Sequence, residues 1–515
     1  MTLGRTYGVG LVGLDGRMVE VEADIGQTLP SFVLLGLPDA SLNEARDRVR
    51  SAAKNAGLPL SRRRITVNLM PADVHKRGSG FDLAIVMAAL AAAGDIKCSG
   101  RRVFIAELGL DGRLQPVRGI LPAVMAAVGA GYPEITVAEA NADEAALVPG
   151  AEVNGFSSLA QVAAFLGADP QRLVYPPNVP GGVDSGTGEW AAAPGPGRDM
   201  ADIAGQSEAR FAVEVAAAGA HHLLMTGPPG AGKTMLAERL PGLLPDLSDT
   251  HAMEVTAIHS LVSGGRTCSQ LLRRPPFESP HHTASSAAII GGGSGIARPG
   301  AASRAHRGVL FLDEAPEYDR RVLDALRQPL ESGKVELHRA AGTATYPARF
   351  QLLLAANPCP CGLASGKGIE CTCTPQQRRR YFSRLSGPLL DRVDVRLEVQ
   401  RVSLRELAGD GCAEGSPVIA GRIEGARGVQ HARLKNWGHE TNAEVPGNLL
   451  RGPLRLPPKA TASLDRAMER QTLTARGYDR VLRVAWSVAD LAGHTVPDAD
   501  DVGQALGFRQ QGEAA

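Results

Sequence analysis

Residues 227–234 carry the pattern Gly-x4-Gly-Lys-Thr, which combines the residue types that hold a triphosphate. Glycine lets backbone N–H groups approach phosphate oxygens closely. Lys233 would reach the β- and γ-phosphates, Thr234 would hold Mg²⁺ through its hydroxyl, and a helix from Met235 would point its N-terminus at the phosphates. The predicted ATP-binding residues are Gly227, Pro228, Pro229, Gly230, Ala231, Gly232, Lys233 and Thr234.

Two carboxylates, Asp313 and Glu314, follow the apolar run 309–312. Ligands of α/β sheets collect at the carboxyl ends of the strands. We therefore expect Asp313 to bind Mg²⁺ and Glu314 to polarise the attacking water. By itself, an apolar run before Asp-Glu marks only a strand end. Downstream of a phosphate loop it predicts nucleotide hydrolysis.

Asn357 follows a second apolar run, at 352–356. An amide at a strand end can position water against the γ-phosphate, so Asn357 is a candidate sensor of the nucleotide. The alternative is a turn-forming asparagine before Pro358.

Four cysteines cluster just beyond this strand end, at Cys359, Cys361, Cys371 and Cys373. Four thiolates on either side of a glycine-rich loop could close a tetrahedral Zn²⁺ site. The Cys-x-Cys spacing is tighter than the usual Cys-x2-Cys, and the alternative is a set of reduced thiols at a loop. The other three cysteines, Cys98, Cys268 and Cys412, are isolated, and we expect them to be inert.

The elements that must position these residues fall into several domains. Short β-rich runs (32–35, 65–69) alternate with helical stretches (41–56, 82–93) before a Pro- and Gly-rich linker. After the linker, strand, phosphate loop, helix and further apolar strands (309–312, 350–355) predict a parallel sheet with both faces covered. The predicted divisions are 1–171 as an α/β domain, 172–198 as linker, 199–403 as the nucleotide-binding domain, 404–457 as a less ordered connecting segment and 458–508 as a helical lid.

The lid is predicted to contain three helices, at 459–471, 475–492 and 497–506. A hairpin is predicted at 334–350, between the acidic strand and the sensor strand.

Composition bounds the partners. The 515 residues carry 55 basic and 54 acidic side chains, for a net charge of +1, so any nucleic-acid surface must be local. No long apolar span and no signal peptide are present, so we expect a cytoplasmic protein that does not enter the membrane.

Several motifs together resemble the magnesium-chelatase-like AAA+ family called YifB or ComM. They occur in order along the chain, around the predicted phosphate loop and strand ends. They are Pro-His-His-Thr-Ala-Ser at 280–285, Gly-Gly-Gly at 291–293, Ala-His-Arg-Gly at 305–308, Leu-Arg-Gln-Pro-Leu-Glu at 326–331, Asn-Pro-Cys-Pro-Cys-Gly at 357–362 and Ser-Gly-Pro-Leu-Leu-Asp-Arg at 386–392. Two places depart from the family pattern: residues 299–304 lack an expected Glu, and 315–318 read Ala-Pro-Glu-Tyr in place of Leu-Pro-Glu-Phe.

The resemblance implies an α/β multidomain fold: an N-terminal Lon-protease-like (S5-like) domain, a central AAA+ P-loop domain with a parallel sheet and a C-terminal helical lid. The N-terminal motifs are 36–39, 67–69, 71–73 and 80–83. A Lon-type protease needs a Ser nucleophile and a Lys base. Gly80 and Leu121 stand at the matching positions, with Ser79 one residue early. We expect no proteolysis, and a domain that packs against protein partners or DNA.

The resemblance also assigns arginines. Arg392 matches the arginine finger that acts on the nucleotide of a neighbouring subunit, which implies a hexameric ring of identical chains. Arg476 matches the second sensor, with Arg483 as the alternative.

Hairpins in related helicase-type rings point into the pore. Lys334, His338 and Arg339 are then candidates for gripping a DNA backbone, and the alternative is a structural hairpin with exposed charges.

The family similarity favours an ATP-hydrolysing ring motor that acts on DNA, as a helicase promoting branch migration during recombination of incoming DNA. The alternative is a chelatase- or chaperone-like remodeller of a protein partner. Basic residues in the pore would favour DNA, and an apolar or aromatic pore loop would favour polypeptide.

Overall fold

The structure of the chain is a computed structural model. The structure describes residues 3–26, 29, 31–35, 40–60, 64–71, 79–98, 100–177, 198–262, 268–293, 297–339, 342–364, 371–403, 406 and 413–510. Most of the expected linker, Cys412 and the motif residues 36–39 and 72–78 lie outside the described residues.

The N-terminal region forms a seven-stranded mixed sheet in the order β3-β4-β2-β1-β5-β8-β9. Strands β1, β2 and β4 are antiparallel neighbours, and β1, β5, β8 and β9 are parallel ones. The strands of this region, including the small hairpin β6-β7, are β1 (Gly4–Val12), β2 (Asp15–Gly26), β3 (Phe32–Leu35), β4 (Arg64–Met70), β5 (Val103–Ile105), β6 (Glu107–Leu108), β7 (Leu114–Gln115), β8 (Glu134–Ala138) and β9 (Glu152–Phe156).

Helices cover both faces of this sheet. They are α1 (Ala40–Asn55), α2 (Asp82–Ala93), α3 (Ile120–Gly129), α4 (Glu139–Ala146) and α5 (Leu159–Phe165). Helix α2 is apolar around most of its circumference and almost completely buried, as expected for a helix covered on every side. The expected helix at 82–93 and the strand at 32–35 are confirmed at their bounds.

The central region is built on a five-stranded parallel sheet in the order β11-β14-β17-β10-β18. Alternate residues of its central strands enter cores on opposite faces, which explains why these strands are continuous apolar runs. The strands of the region are β10 (Leu223–Thr226), β11 (Phe277–Glu278), β12 (Gly291–Gly292), β13 (Arg298–Pro299), β14 (Val309–Leu312), β15 (Lys334–Arg339), β16 (Gly342–Pro347), β17 (Gln351–Ala356) and β18 (Val395–Glu398).

The helices of the central region surround this sheet. They are α6 (Ser207–Gly219), α7 (Lys233–Arg239), α8 (Asp249–Val262), α9 (Ser286–Ile289), α10 (Ala301–Arg304), α11 (Arg320–Ala325), α12 (Arg327–Ser332), α13 (Pro375–Phe382) and α14 (Gly387–Leu390). The expected hairpin is present as β15 and β16, with Lys334 opposite Pro347 and Arg339 opposite Gly342.

The C-terminal region is helical, and it begins earlier than the sequence suggested. Its helices are α15 (Ser416–Leu434), α16 (Gly447–Arg451), α17 (Pro458–Glu469), α18 (Ala475–Ala492) and α19 (Ala499–Gln510). The expectation of a less ordered segment between 404 and 455 was wrong, because α15 occupies much of it. This helix has little amphipathic contrast, yet Ile419, Ile423 and Ala426 are buried in the core shared with α6 and α18.

Helices α3 and α8 join the N-terminal and central regions. Ala257 of α8 is buried in the same core as Ile120 and Leu121 of α3. The backbone N–H of Gly119 donates to the carbonyl of Ser260 at 3.1 Å. Within the described part of the chain, no helix is both long enough and apolar enough to cross a bilayer.

Candidate nucleotide site

The loop 227–232 lies at the carboxyl edge of the central sheet, between β10 and α7. The backbone N–H of Gly227 donates to the carbonyl of Ala356 on β17 at 3.1 Å. A side chain at Gly227 would place its Cβ 2.1 Å from the carbonyl oxygen of Val399. Gly230 and Gly232 have φ angles of +77° and +90°, which favour glycine. Each of these three glycines therefore has a backbone reason to be glycine.

Lys233 is buried at the mouth of the loop. Its Nζ donates to the carbonyls of Gly227 at 2.7 Å and Pro228 at 3.0 Å, and to Oδ1 of Asn357 at 3.2 Å. Burial lowers the pKa of the Lys233 ammonium, while Asp313 and Glu314 act in the opposite direction. The lysine and the expected sensor asparagine therefore meet across two neighbouring strands.

Thr234 and Asp313 meet at the same edge. The Thr234 hydroxyl donates to Oδ2 of Asp313 at 2.8 Å. A hydroxyl and a carboxylate are oxygen ligands of the kind that Mg²⁺ prefers. The donor set therefore fits a magnesium ion held by these two side chains.

Glu314 has a φ of +49°, an uncommon conformation for a residue with a side chain. Its backbone N–H donates to Oδ1 of Asp313 at 2.9 Å. Its carboxylate pairs with Nδ1 of His282 at 3.2 Å. The ring of His281 lies 4.1 Å from that of His282, centroid to centroid. Strained backbone of this kind is often found at functional sites.

Two contacts at this edge were missed by sequence reasoning. His282 lay in a quoted motif, but nothing local showed that it would face Glu314. Gln206 supports the loop from before β10: its Nε2 donates to the carbonyls of Ala231 at 2.6 Å and Gln400 at 3.1 Å. Because its partners come from two distant segments, a single sequence gives no signal for it.

Arg392 lies at the opposite edge of the sheet. Strands β10 and β18 are parallel neighbours, and Lys233 follows β10 whereas Arg392 precedes β18. The Arg392 guanidinium contacts Glu331 and the carbonyl of Pro388. Arg476 lies nearby, with its Nη1 4.0 Å from Oδ2 of Asp391 and a side chain that is 80% exposed. Both arginines are therefore far from the phosphate loop of their own chain.

Three known protein families match most of the chain. Residues 199–407 match the family described as magnesium chelatase, subunit ChlI, and residues 413–509 match its C-terminal family. Residues 21–141 match the family described as subunit ChlI of Mg-chelatase.

Full-length relatives narrow the assignment. The chain is 39% identical to the competence protein ComM of Haemophilus influenzae, covering 99% of this chain and 98% of the relative. It is 38% identical to the protein YifB of Escherichia coli, over 99% and 97%. The chain belongs to the YifB/ComM family. An uncharacterized protein of Mycobacterium tuberculosis is 49% identical to it over 99% of both chains.

The YifB/ComM family is a magnesium-chelatase-like family of AAA+-type ATPases. Membership implies nucleotide and Mg²⁺ use, and such proteins are typically oligomeric. The parallel sheet of this YifB/ComM chain agrees with the AAA+ fold expected from its sequence.

The four cysteines of this family member meet beyond the carboxyl end of β17. Cys359 Sγ lies 3.2 Å from Cys361 Sγ and 3.7 Å from Cys371 Sγ. The ligand atoms of the whole set, which includes Cys373, lie within 4.8 Å of one another. Cys359 is fully buried, and Cys361 is exposed.

The hairpin of this YifB/ComM chain packs one face into the central core through Val335, Leu337 and Tyr346. Lys334 Nζ pairs with Glu336 at 2.6 Å, and His338 Nδ1 lies 2.9 Å from the Thr343 hydroxyl. The side chain of Arg339 lies outside the described residues.

The structure also describes Gly80 and Leu121, the two positions that the sequence resemblance aligned with Lon-type catalytic residues. Gly80 lies in a short 3-10 turn, and Leu121 is fully buried in α3. The neighbouring Ser79 hydroxyl donates to Glu107.

Proposed function

We propose that this protein is an ATP-hydrolysing ring motor that acts on DNA, as a helicase or branch-migration enzyme in recombination of incoming DNA. The meeting of Lys233, Thr234, Asp313 and Asn357 at one sheet edge carries the ATPase part. The DNA part is supported by 39% identity to a relative whose name is competence protein.

In the proposed reaction, Lys233 binds the β- and γ-phosphates after exchanging its loop carbonyls for phosphate oxygens. Thr234 and Asp313 would hold Mg²⁺, which when bound would supply positive charge to the phosphates. Glu314 orients and polarises the attacking water once its carboxylate leaves His282. Asn357 positions Lys233 and the attacking water against the γ-phosphate.

The position of Arg392 supports the proposed ring. Because it lies at the amino edge of the sheet, it cannot reach the nucleotide of its own chain. A guanidinium at that edge can serve the nucleotide of a neighbouring subunit, which requires a head-to-tail ring. Arg476 lies close to Arg392, because its Nη1 is 4.0 Å from the carboxylate of the preceding residue, Asp391. We therefore propose that the second sensor also acts across the subunit interface.

We place the DNA contacts on the hairpin, at Lys334, His338 and Arg339. Lys334 is half-exposed and is paired only with Glu336 of the same strand among its described ion pairs, so phosphate can compete for it. The N-terminal Lon-like domain, with Gly80 and Leu121, would serve as a docking domain without protease activity.

The test is ATP hydrolysis by the purified protein with and without single-stranded and forked DNA, at two salt concentrations. We expect DNA to stimulate hydrolysis, less so at high salt, and Lys233→Ala to abolish hydrolysis. Lys334→Ala with His338→Ala should lose the stimulation and keep basal hydrolysis.

Lys459→Ala, on the lid helix α17, is the matched control for removal of a lysine charge. Hydrolysis that is indifferent to DNA would favour the remodeller of a protein partner. Equal loss of stimulation in the Lys459→Ala control would remove the hairpin from the proposal.

We also propose that Cys359, Cys361, Cys371 and Cys373 bind zinc. Four sulfur atoms within 4.8 Å of one another match a closed zinc site with four thiolate ligands. Such a site would fix the loop that begins two residues after Asn357.

Metal analysis of protein purified without chelator tests this site. We expect about one zinc per chain, which is lost in Cys371→Ser. Cys98→Ser, at a cysteine in the N-terminal region, is the matched control and should keep the metal. Protein without zinc, or an equal zinc content in Cys371→Ser, would contradict the proposal.

A further inference from the structure

The segment 391–394, which carries the proposed arginine finger, is held by three arginines of the lid. Arg480 of α18 donates from Nη1 to the carbonyl of Arg392 at 3.1 Å and also contacts Asp394. Arg509 of α19 donates to the carbonyl of Val393 at 2.7 Å. Arg476 completes the set through Asp391. The lid therefore contacts four consecutive residues at the amino edge of the sheet.

Asp394 anchors this segment in the interior. It is almost fully buried, and its Oδ2 lies 3.3 Å from Nδ1 of His221. His221 Nε2 in turn lies 2.7 Å from the hydroxyl of Ser487 on α18. The segment is thus tied to the same lid helix by two routes, one through Arg480 and one through His221 and Ser487.

These contacts differ from ordinary side-chain packing because they fix the backbone at Arg392 and Val393. Arg480 and Arg509 donate to two consecutive backbone carbonyls, at the finger residue and the one after it. The direction of a side chain follows from its backbone, and a charged group must be placed within about 0.5 Å to stabilise a transition state. A small tilt of the lid would therefore move the Arg392 guanidinium.

We infer that Arg480 and Arg509 are positioning residues that set the place of Arg392 at the subunit interface, so that the helical lid of one chain controls hydrolysis in its neighbour. This inference rests on the proposed action of Arg392 on a neighbouring subunit. Neither residue touches the nucleotide of its own chain, because both bind the amino edge of the sheet.

Mixing variants tests the inference, because a finger defect and a nucleotide-site defect complement each other in a ring. Arg392→Ala keeps its nucleotide site, and Lys233→Ala keeps its finger. Each is inactive alone, and an equal mixture has about a quarter of its interfaces intact if subunits mix at random. We expect Arg480→Gln to behave as Arg392→Ala does: activity returns on mixing with Lys233→Ala and stays absent on mixing with Arg392→Ala.

A steady-state measurement separates positioning from folding. Arg480→Lys, which keeps a charge near Asp394, should lower kcat about tenfold while the KM for ATP changes less than about twofold. Arg433→Gln is the matched control. Arg433 of α15 pairs at 2.6 Å with buried Asp490, which lies on α18, the helix that also carries Arg480. Arg433 does not contact 391–394. The variant should lose thermal stability and keep ATP hydrolysis.

Three outcomes are decisive. In the first, Arg392→Ala regains activity when it is mixed with Lys233→Ala, but neither Arg480→Gln nor Arg480→Lys does so. That result would overturn the inference and leave the proposed ring intact. Wild-type kcat in both Arg480 variants would also overturn it. No return of activity for Arg392→Ala itself would overturn the action across the interface and the inference together.

Discussion

The two edges of the central sheet are built in different ways. The carboxyl edge takes Asp313 and Asn357 directly from the ends of β14 and β17, and Lys233 and Thr234 from the first turn of α7, just after the loop 227–232. The amino edge takes Arg392 from a short turn and holds it with side chains from the lid. The residues of the carboxyl edge come from short contiguous motifs, whereas the amino edge depends on contacts between distant segments of the chain.

This difference implies that substitutions should act differently at the two edges. At the carboxyl edge Lys233 is buried, whereas Thr234, Asp313 and Asn357 are at least partly exposed, and we propose that all four serve the nucleotide. Those at the amino edge, such as Asp394 and His221, are buried and satisfy one another. We expect loss of chemistry with little loss of stability at the first edge, and loss of stability at the second.

The largest expected effect is at Glu314. Glu314→Gln removes the carboxylate that we propose polarises the attacking water, and it keeps the size of the side chain. We expect kcat for ATP hydrolysis to fall about 100- to 1,000-fold while nucleotide affinity is retained. Single-turnover hydrolysis and binding of a fluorescent ATP analogue measure the two quantities. A marked drop in melting temperature would break the proposed contrast between the edges.

Gly227 lies at the carboxyl edge, yet its substitution should lower stability, because a side chain at this position would clash with the backbone. A Cβ at Gly227 would lie 2.1 Å from the carbonyl oxygen of Val399. We expect Gly227→Ala to lower the free energy of unfolding by about 3 kcal/mol. Gly242→Ala, at a glycine with open space around its Cβ position, is the control and should change stability little. Chemical denaturation of both variants measures this, and equal effects would contradict the steric argument.

At the amino edge, the main effect of Ser487 should be on stability. Its buried hydroxyl lies 2.7 Å from His221 Nε2 and accepts from Asn442 Nδ2 at 3.0 Å. Ser487→Ala removes the partner of His221 Nε2 and one of the two hydrogen bonds donated by Asn442 Nδ2, which keeps its bond to Asp490, at a cost of about 2 kcal/mol. Thermal unfolding measures the loss, with exposed Ser332→Ala as control. A variant as stable as the wild type would show that the network does not hold the lid.

The smallest predicted effect depends on pH and concerns His306, just before β14. Burial lowers the pKa of His306, although Glu254 at 3.1 Å opposes the shift. Its Nδ1 accepts the N–H of Arg349, so Nε2 carries the proton and the ring is neutral.

The unfolded chain binds a proton at His306 below about pH 6.5, and the folded chain does so only at a lower pH because burial lowers the pKa of His306, so stability falls as pH falls through this range. The slope is at most about 1.4 kcal/mol per pH unit. We expect His306→Gln to show a smaller loss than the wild type between pH 7 and pH 5.5 in urea denaturation. The same loss in both proteins would contradict the assignment.

The sequence was most informative where local patterns determine structure. The glycines of 227–232 and the apolar strands before Asp313 and Asn357 predicted the sheet and its carboxyl edge, because each feature lies within one short segment. Helix α15 was not predicted, because its weak amphipathic pattern is stabilised by contacts with α6 and α18. The contacts of Arg480 with Arg392 and of Gln206 with Gln400 were also invisible, since these partners are about 90 and 190 residues apart in the chain.

The contact between Arg392 and Glu331 has a further consequence for a ring. A subunit outside the ring has no exposed unpaired guanidinium at this position, because a carboxylate of its own chain already neutralises it. Joining a neighbour would exchange one anion for another, and loss of the γ-phosphate would return the guanidinium to Glu331. Each hydrolysis event would then weaken the interface at which it occurred, so the nucleotide state of a subunit would determine how tightly its neighbour is bound.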